Sequence, residues 1–379
     1  MNGHVYQRGK TFTIIYDLGK DPITGKRKQK SVGGFKSKPE AKAALRKILV
    51  EIDEGKYLEP SKETFSSYIE KWFNQHYRAR VEETTGKTRE YMLNKHLIEL
   101  NPFKDKPLGS IDTEDIDNLY NLKFDEGYSP SYIRQMHNML NKVFTQACKW
   151  KKLSYNPVQD ADPPSIKKEE IIIWSMESVN QFLDACLGRR YYMTFYLALY
   201  TGMRRGEILG LQWSDIDFDQ KVIFVNRSLA YLPQKGYVFK KLKTISSRRQ
   251  IPLSEKVIDK LRLHKKWQDQ EKDRFKGMYL DNDLVVCTRD GKPLDPQNVL
   301  RDMNICREKA NVPKIRFHDM RHTHASILIS LGVDVVVVSK RLGHINPRVT
   351  LETYAHIVPN KQDGVADLFE EALENHRNK

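Results

Sequence analysis

Tyr354 stands ten residues after His344, which closes Leu342-Gly343-His344, and that triplet follows His318-Asp-Met-Arg321. Far upstream lies Thr201-Gly202-Met203-Arg204-Arg205-Gly206-Glu207. Two arginines, two histidines and a phenolic hydroxyl are a set suited to phosphodiester chemistry without a metal. Guanidinium groups supply fixed positive charge for phosphate oxygens, imidazoles hold or move protons, and a tyrosine oxygen serves as a nucleophile.

Each of these residues has a blander reading. Glu207 lies three residues after Arg204, close enough to pair with it on one helix face and hold the planar two-donor fork in one orientation. An isolated R-x-x-E is ordinarily a surface ion pair. Arg205 adjoins Arg204, but neighbours on a helix do not face the same site. On a helix His318 and Arg321 also share a face, so an imidazole and a guanidinium converge. His322 and His324 nearby raise the question of a metal, with His318 and His322 at i and i+4. Zinc calls for further ligands and a nearby acid, no H-E-x-x-H is present, and Asp319 falls on another helix face. Any one Tyr among 18 is by default a packed residue with a satisfied hydroxyl. Order and spacing together override these defaults.

In that order, the elements resemble the catalytic signature of the tyrosine recombinases, the phage integrase family. A further segment, Leu242-Lys243-Thr244-Ile245-Ser246-Ser247-Arg248-Arg249-Gln250-Ile251-Pro252-Leu253, resembles the family's hairpin with a catalytic lysine. The resemblance implies that Tyr354 attacks a DNA phosphate, leaving a 3′-phosphotyrosyl link and a 5′-hydroxyl. It implies that Arg204 and Arg321 stabilise charge on the phosphate, with Glu207 in support. His318 would act as base or hydrogen-bond donor, and His344 would bond a nonbridging oxygen. Lys243 would protonate the 5′ oxygen, although Lys240 and Lys241 compete for that role. Ile345-Asn346-Pro347 departs from the small polar residues common after the histidine. No metal or other cofactor is called for, and no G-x-x-x-x-G-K-[ST] loop is present. Two rivals are a type IB topoisomerase-like strand transferase and a noncatalytic DNA-binding regulator.

The elements that position these groups read as a multidomain, mainly α chain. In residues 1–58, His4-Val5-Tyr6, Thr11 to Tyr16 and the basic run Lys26 to Val32 read as three strands. Ser37-Lys38-Pro39-Glu40 reads as a capping box opening a helix on Ala41, Ala44, Leu45, Ile48 and Leu49. The order resembles an arm-type DNA-binding domain. Residues 63–158 read as four helices, with apolar stripes at Phe65, Tyr68, Ile69, Trp72 and Phe73 and at Ile133, Met136, Leu140, Phe144 and Ala147. Their position resembles the family's core-binding domain. Asp160 to Glu170, with Pro163-Pro164, reads as a connection. Residues 171–379 read as a mainly α catalytic domain with a small sheet: Ser175 caps a helix, Tyr191 to Tyr200 forms a buried one, and strands cover Lys221–Arg227, Tyr237–Lys243 and Arg248–Leu253. Ser326–Leu331 and Val335–Val338 read as core, and Val365, Leu368, Phe369, Ala372 and Leu373 as a short amphipathic helix.

Composition fits a polyanion partner. The 379 residues carry 64 Lys+Arg against 49 Asp+Glu, a net charge of +15, and 379 residues exceed one ordinary core. Residues 1–60 carry +6, residues 61–170 are balanced and residues 171–379 carry +9. Four scattered cysteines make neither a disulfide framework nor a C-x-x-C zinc site. No apolar run spans a membrane and no signal-peptide core precedes Arg8, so the expected compartment is the cytoplasm, at the nucleoid. The partners implied by the resemblance are double-stranded DNA at core and arm attachment sites, three further protomers in a homotetramer, a directionality factor and a DNA-bending host protein.

Overall fold

The computed structural model describes residues 3–20, 25–54, 57–58, 62–167, 171–232, 235–242, 248–275, 277–355, 369–370 and 373. The chain divides into two compact units, Met1–Lys168 and Glu169–Lys379. Lys243 and most of the proposed 365–373 helix lie outside the described residues, as do Glu59-Pro60-Ser61 of the stretch Glu59-Pro60-Ser61-Lys62, which reads as a linker in the sequence.

The first unit opens with an antiparallel sheet in the order β1 (Gly3–Arg8), β2 (Thr11–Lys20), β3 (Arg27–Phe35). Alternation along β2 turns Ile14 and Tyr16 inward, where they meet Ala41 and Leu45 of helix α1 (Lys38–Asp53). Ser37 caps α1 by accepting from the Glu40 N–H at 3.3 Å, while the Glu40 carboxylate reaches back to the Lys36 N–H at 3.0 Å. The reciprocal bond thus lands one residue before the cap.

Helices α2 (Phe65–Trp72), α3 (Glu83–Met92), α4 (Thr113–Asp125) and α5 (Pro130–Lys149) follow, and α2 and α3 each run on into a wider π turn. Ser129 caps α5 and Pro130 starts it, because Pro lacks the N–H that a first turn leaves unpaired. Both apolar stripes read from the sequence are buried in one core.

The second unit contains α6 (Met176–Ala185), α7 (Tyr192–Thr201), α8 (Arg205–Leu209), β4 (Ile216–Asp217), β5 (Val222–Val225), β6 (Arg227–Leu232), β7 (Gly236–Lys241) and β8 (Arg249–Pro252). After these come α9 (Glu255–Arg274), α10 (Pro296–Ala310), α11 (Asp319–Ser330), α12 (Val335–Leu342) and α13 (Pro347–Tyr354). The strand expected over Lys221–Arg227 ends at Val225, and β6 is a separate strand. It pairs with β7 in a two-stranded sheet, while β4, β5 and β8 form another. The three strands expected in one small sheet are thus divided between two.

The mostly apolar and aromatic α7 is enclosed by the main core, and Gly202, left-handed at φ 66°, ends it. Two apolar runs are only partly buried. Val338 and Ile329 are enclosed, but Val336, Val337 and Leu331 are exposed, because consecutive residues on a helix face different ways.

Candidate active site

Arg321 lies in the first turn of α11, 3% exposed. One guanidinium nitrogen donates to the Gly202 carbonyl at 2.8 Å and the other to the Leu342 carbonyl at 2.6 Å. These carbonyls belong to the ends of α7 and α12, whose caps Gly202 and Gly343 are both left-handed. Helix C-termini carry partial negative charge, so two of them hold the buried cation in place. Burial, then repulsion from Arg204 and Arg249, lowers Arg321 to about 9, which leaves it cationic at neutral pH. Among the described residues, two of its five N–H groups are hydrogen-bonded.

Arg204 is the residue just before α8, not a member of it. Its side chain donates to the Glu207 carboxylate at 2.9 Å, its backbone N–H does the same at 2.9 Å, and it reaches the Gly343 carbonyl at 3.4 Å. Glu207 is buried and bound on its other side by Arg249, at 2.8 and 3.2 Å. Arg249 in turn donates to the Arg341 carbonyl at 2.7 Å. Burial alone would raise the Glu207 carboxyl, but the Arg249 hydrogen bond and charge, then Arg204, hold it below the usual range. Glu207 is therefore an ionised strut between two guanidiniums. Arg249 was missed in the sequence because its partners are remote along the chain.

The histidines divide into three kinds. His344 Nδ1 bonds the hydroxyl of buried Thr350 at 2.7 Å, and burial, then Arg321 and Arg204, lower it to about 4. His318 precedes α11 rather than lying within it; although its surface is exposed, partial desolvation of the ring, then Arg321 and Arg204, lowers it. His322 Nδ1 lies 2.6 Å from the Tyr354 hydroxyl, and its ring meets His318 edge-on at 5.1 Å. His324 is structural: Nδ1 donates to the Leu199 carbonyl at 2.8 Å, because Nε2 must accept from Arg341 at 3.1 Å. His322 thus contacts a phenol, and His324 ties α11 to the end of α7.

Tyr354 ends α13 and packs against Ala325, Ile329, Val338 and Leu342. Burial pushes its hydroxyl up, opposed by Arg321. Asn346 caps α13 by accepting from the Arg348 N–H at 2.9 Å, and Pro347 opens it. The apparent departure at Ile345-Asn346-Pro347 is therefore a helix-start signal.

Arg204, Arg321, His318 and His344 are brought together, each near enough to shift another's protonation, with Tyr354 beside Arg321. Lys243 falls outside the described residues, while Lys240 and Lys241 lie on β7.

The model of the phage integrase family matches residues 174–361. Over 397 aligned residues the chain is 30% identical to a XerC-like tyrosine recombinase of Caldanaerobacter subterraneus subsp. tengcongensis, covering 97% of each. The chain belongs to the phage integrase family of tyrosine recombinases.

An arm DNA-binding domain is matched over residues 4–52 of this recombinase, and a SAM-like N-terminal integrase domain over residues 64–124. It is 27% identical to the ICEBs1 integrase of Bacillus subtilis over 289 residues, 75% of this chain and 77% of the other. In fold it is similar to the Tn1549 transposon integrase, at TM-score 0.67 and 21% identity, covering 82% of this chain and 99% of that one. A lambda integrase tetramer bound to a Holliday junction aligns at TM-score 0.55 and 16% identity, over 94% and 95%. The chain is an enzyme of site-specific DNA recombination, as its family is. Among the described residues no helix is long and apolar enough to cross a membrane.

Proposed function

We propose that this recombinase integrates or excises a mobile element by transferring a DNA strand to Tyr354 and back. The phenolic oxygen attacks a backbone phosphate, a 3′-phosphotyrosyl link forms, and the bond to the 5′ oxygen breaks. Arg204, set by Glu207, and Arg321, set by two helix ends, bind the nonbridging oxygens as charge grows there. A lost donor at such a site is worth roughly 3 kcal/mol or more. His344 is uncharged at neutral pH; with the Thr350 hydroxyl donating to Nδ1, its Nε2 carries the proton and donates to the same phosphate. His318 provides a further donor, and Lys243 protonates the departing 5′ oxygen. Resealing reverses the step, so bond energy is conserved and no nucleotide is consumed.

The observation that carries this reading is the convergence of two fixed guanidiniums, two uncharged imidazoles and one phenol, drawn from α7–α8, α11, the end of α12 and α13. In the proposed division of labour residues 1–58 read arm sites, residues 63–158 hold the core site, and residues 171–379 perform the chemistry. The working assembly is a homotetramer on two DNA sites, with a directionality factor and a DNA-bending host protein as accessories. The lambda integrase tetramer on a Holliday junction supports that stoichiometry by analogy.

The test is recombination between two attachment-site duplexes in excess chelator. Recombinant joints from the wild type and none from Tyr354→Phe support the proposal. DNA relaxation without joints would make the chain a topoisomerase-like transferase, and binding without cleavage a regulator.

A further inference from the structure

We propose that His322, rather than His318, takes the phenolic proton of Tyr354 during strand cleavage and returns it during resealing. The inference rests on the reading of Tyr354 as nucleophile and adds the partner that makes its oxygen reactive.

The geometry is direct. His322 Nδ1 is 2.6 Å from the Tyr354 oxygen, a short contact between the first turns of α11 and the last residue of α13. Two tautomers fit it. If Nδ1 bears the proton and donates, the phenolic O–H is left to find another acceptor, and none is present among the described residues. If Nδ1 carries the lone pair, the hydroxyl donates to it and the buried phenol is satisfied. The second arrangement sets an accepting nitrogen against the oxygen that must lose its proton. His318 has no hydrogen bond to Tyr354 among the described residues; it meets the edge of the His322 ring and remains available to the phosphate.

The chemistry requires such a group. Tyr354 is 2% exposed and its burial favours the neutral phenol, so ionisation before attack is disfavoured. Burial, then the neighbouring His318, lowers His322 to about 4, so it waits uncharged and able to accept. A bound phosphate adds negative charge beside it and raises its basicity as the reaction begins. In the step, the phenolic O–H bond breaks, its proton passes to Nδ1, and the oxygen's electron pair forms the bond to phosphorus. The bond to the 5′ oxygen breaks, and that oxygen takes a proton from Lys243. Resealing runs each transfer backwards.

The test uses the full chain on a nicked suicide duplex. His322→Gln keeps an acceptor oxygen near the phenol but cannot take up a proton. It should bind the core site within about twofold of the wild type and cleave about 10²–10⁴-fold more slowly. Its rate should climb with hydroxide, about tenfold per pH unit above neutrality, where the wild type is flat. A 5′-bridging phosphorothiolate, whose sulfur leaves without a proton, should rescue Lys243→Ala but not His322→Gln. If His322→Gln does not bind the core site, His322→Ala is assayed with added imidazole, where recovered cleavage supports the inference and none overturns it. Cleavage by His322→Gln near the wild-type rate, or its full rescue by the phosphorothiolate, overturns it as well. Tyr354→Phe separates the two levels: adducts surviving that change refute the nucleophile itself, whereas their loss with normal His322→Gln cleavage refutes only His322.

Discussion

At the scale of residues, the site is a set of charges held by buried partners, and Glu207 is the clearest case. Its carboxylate compensates Arg204 and Arg249 together, and both it and the Arg249 side chain are shielded from water. Glu207→Gln removes the charge while keeping the shape, leaving two guanidiniums facing each other. The loss should be about 3 kcal/mol of stability, typical of breaking a buried pair, with cleavage down by tenfold or more as Arg204 loosens. Thermal unfolding together with suicide-duplex cleavage measures both; unchanged values for either would refute the strut. Arg204, His318, Arg321, His344 and Tyr354 were nameable from the sequence because their types and spacing form a recognisable series. Arg249, His322 and His324 were not, because their contacts join positions 42, 32 and 125 residues apart. His322 did carry a signal, since it adjoins Arg321 and lies one turn from His318.

At the scale of elements, caps and periodicity were the legible part. Ser37, Ser129 and Ser175 each start the helix expected of them, and the apolar run before Gly202 is the buried α7. The β region was harder to read, because short strands with half-buried residues give little alternation to follow. The valines of α12 misled for the converse reason: four in succession look like core, yet a helix buries only one side. What no periodicity announces is that α7 and α12 end side by side on Arg321. Gly202 makes that junction possible. A Cβ there would stand 2.7 Å from both the His324 ring and the Leu342 side chain, at a φ of +66°. Gly202→Ala should therefore destabilise the second unit by roughly 2–5 kcal/mol, from left-handed strain plus overpacking. It should also abolish most cleavage by shifting the carbonyl that holds Arg321. A melting midpoint and adduct yield equal to the wild type would contradict this.

At the scale of the whole molecule, buried and half-buried uncharged histidines make stability depend on pH. His322, His324 and His344 are each lowered to about 4, each chiefly by burial. The unfolded chain takes up these protons near pH 6.5 and the native state does not, so between about 4 and 6.5 the unfolded state binds more protons. Stability therefore rises with pH across that window, is level above it, and falls as the solution is acidified. Melting midpoints from pH 7 to pH 4.5 should decline, less steeply in His324→Gln; a level profile would contradict the burial of uncharged imidazoles. The chemistry turns on one oxygen, and the identity of the covalent protein–DNA junction tests it. The full chain, trapped on a nicked attachment-site duplex, digested and sequenced by mass spectrometry, should yield one DNA-bearing peptide with Tyr354 joined to a 3′-phosphate. The complementary strand end should carry a free 5′-hydroxyl. A junction at any other residue, or a link through a 5′-phosphate, would rule out Tyr354 as the nucleophile.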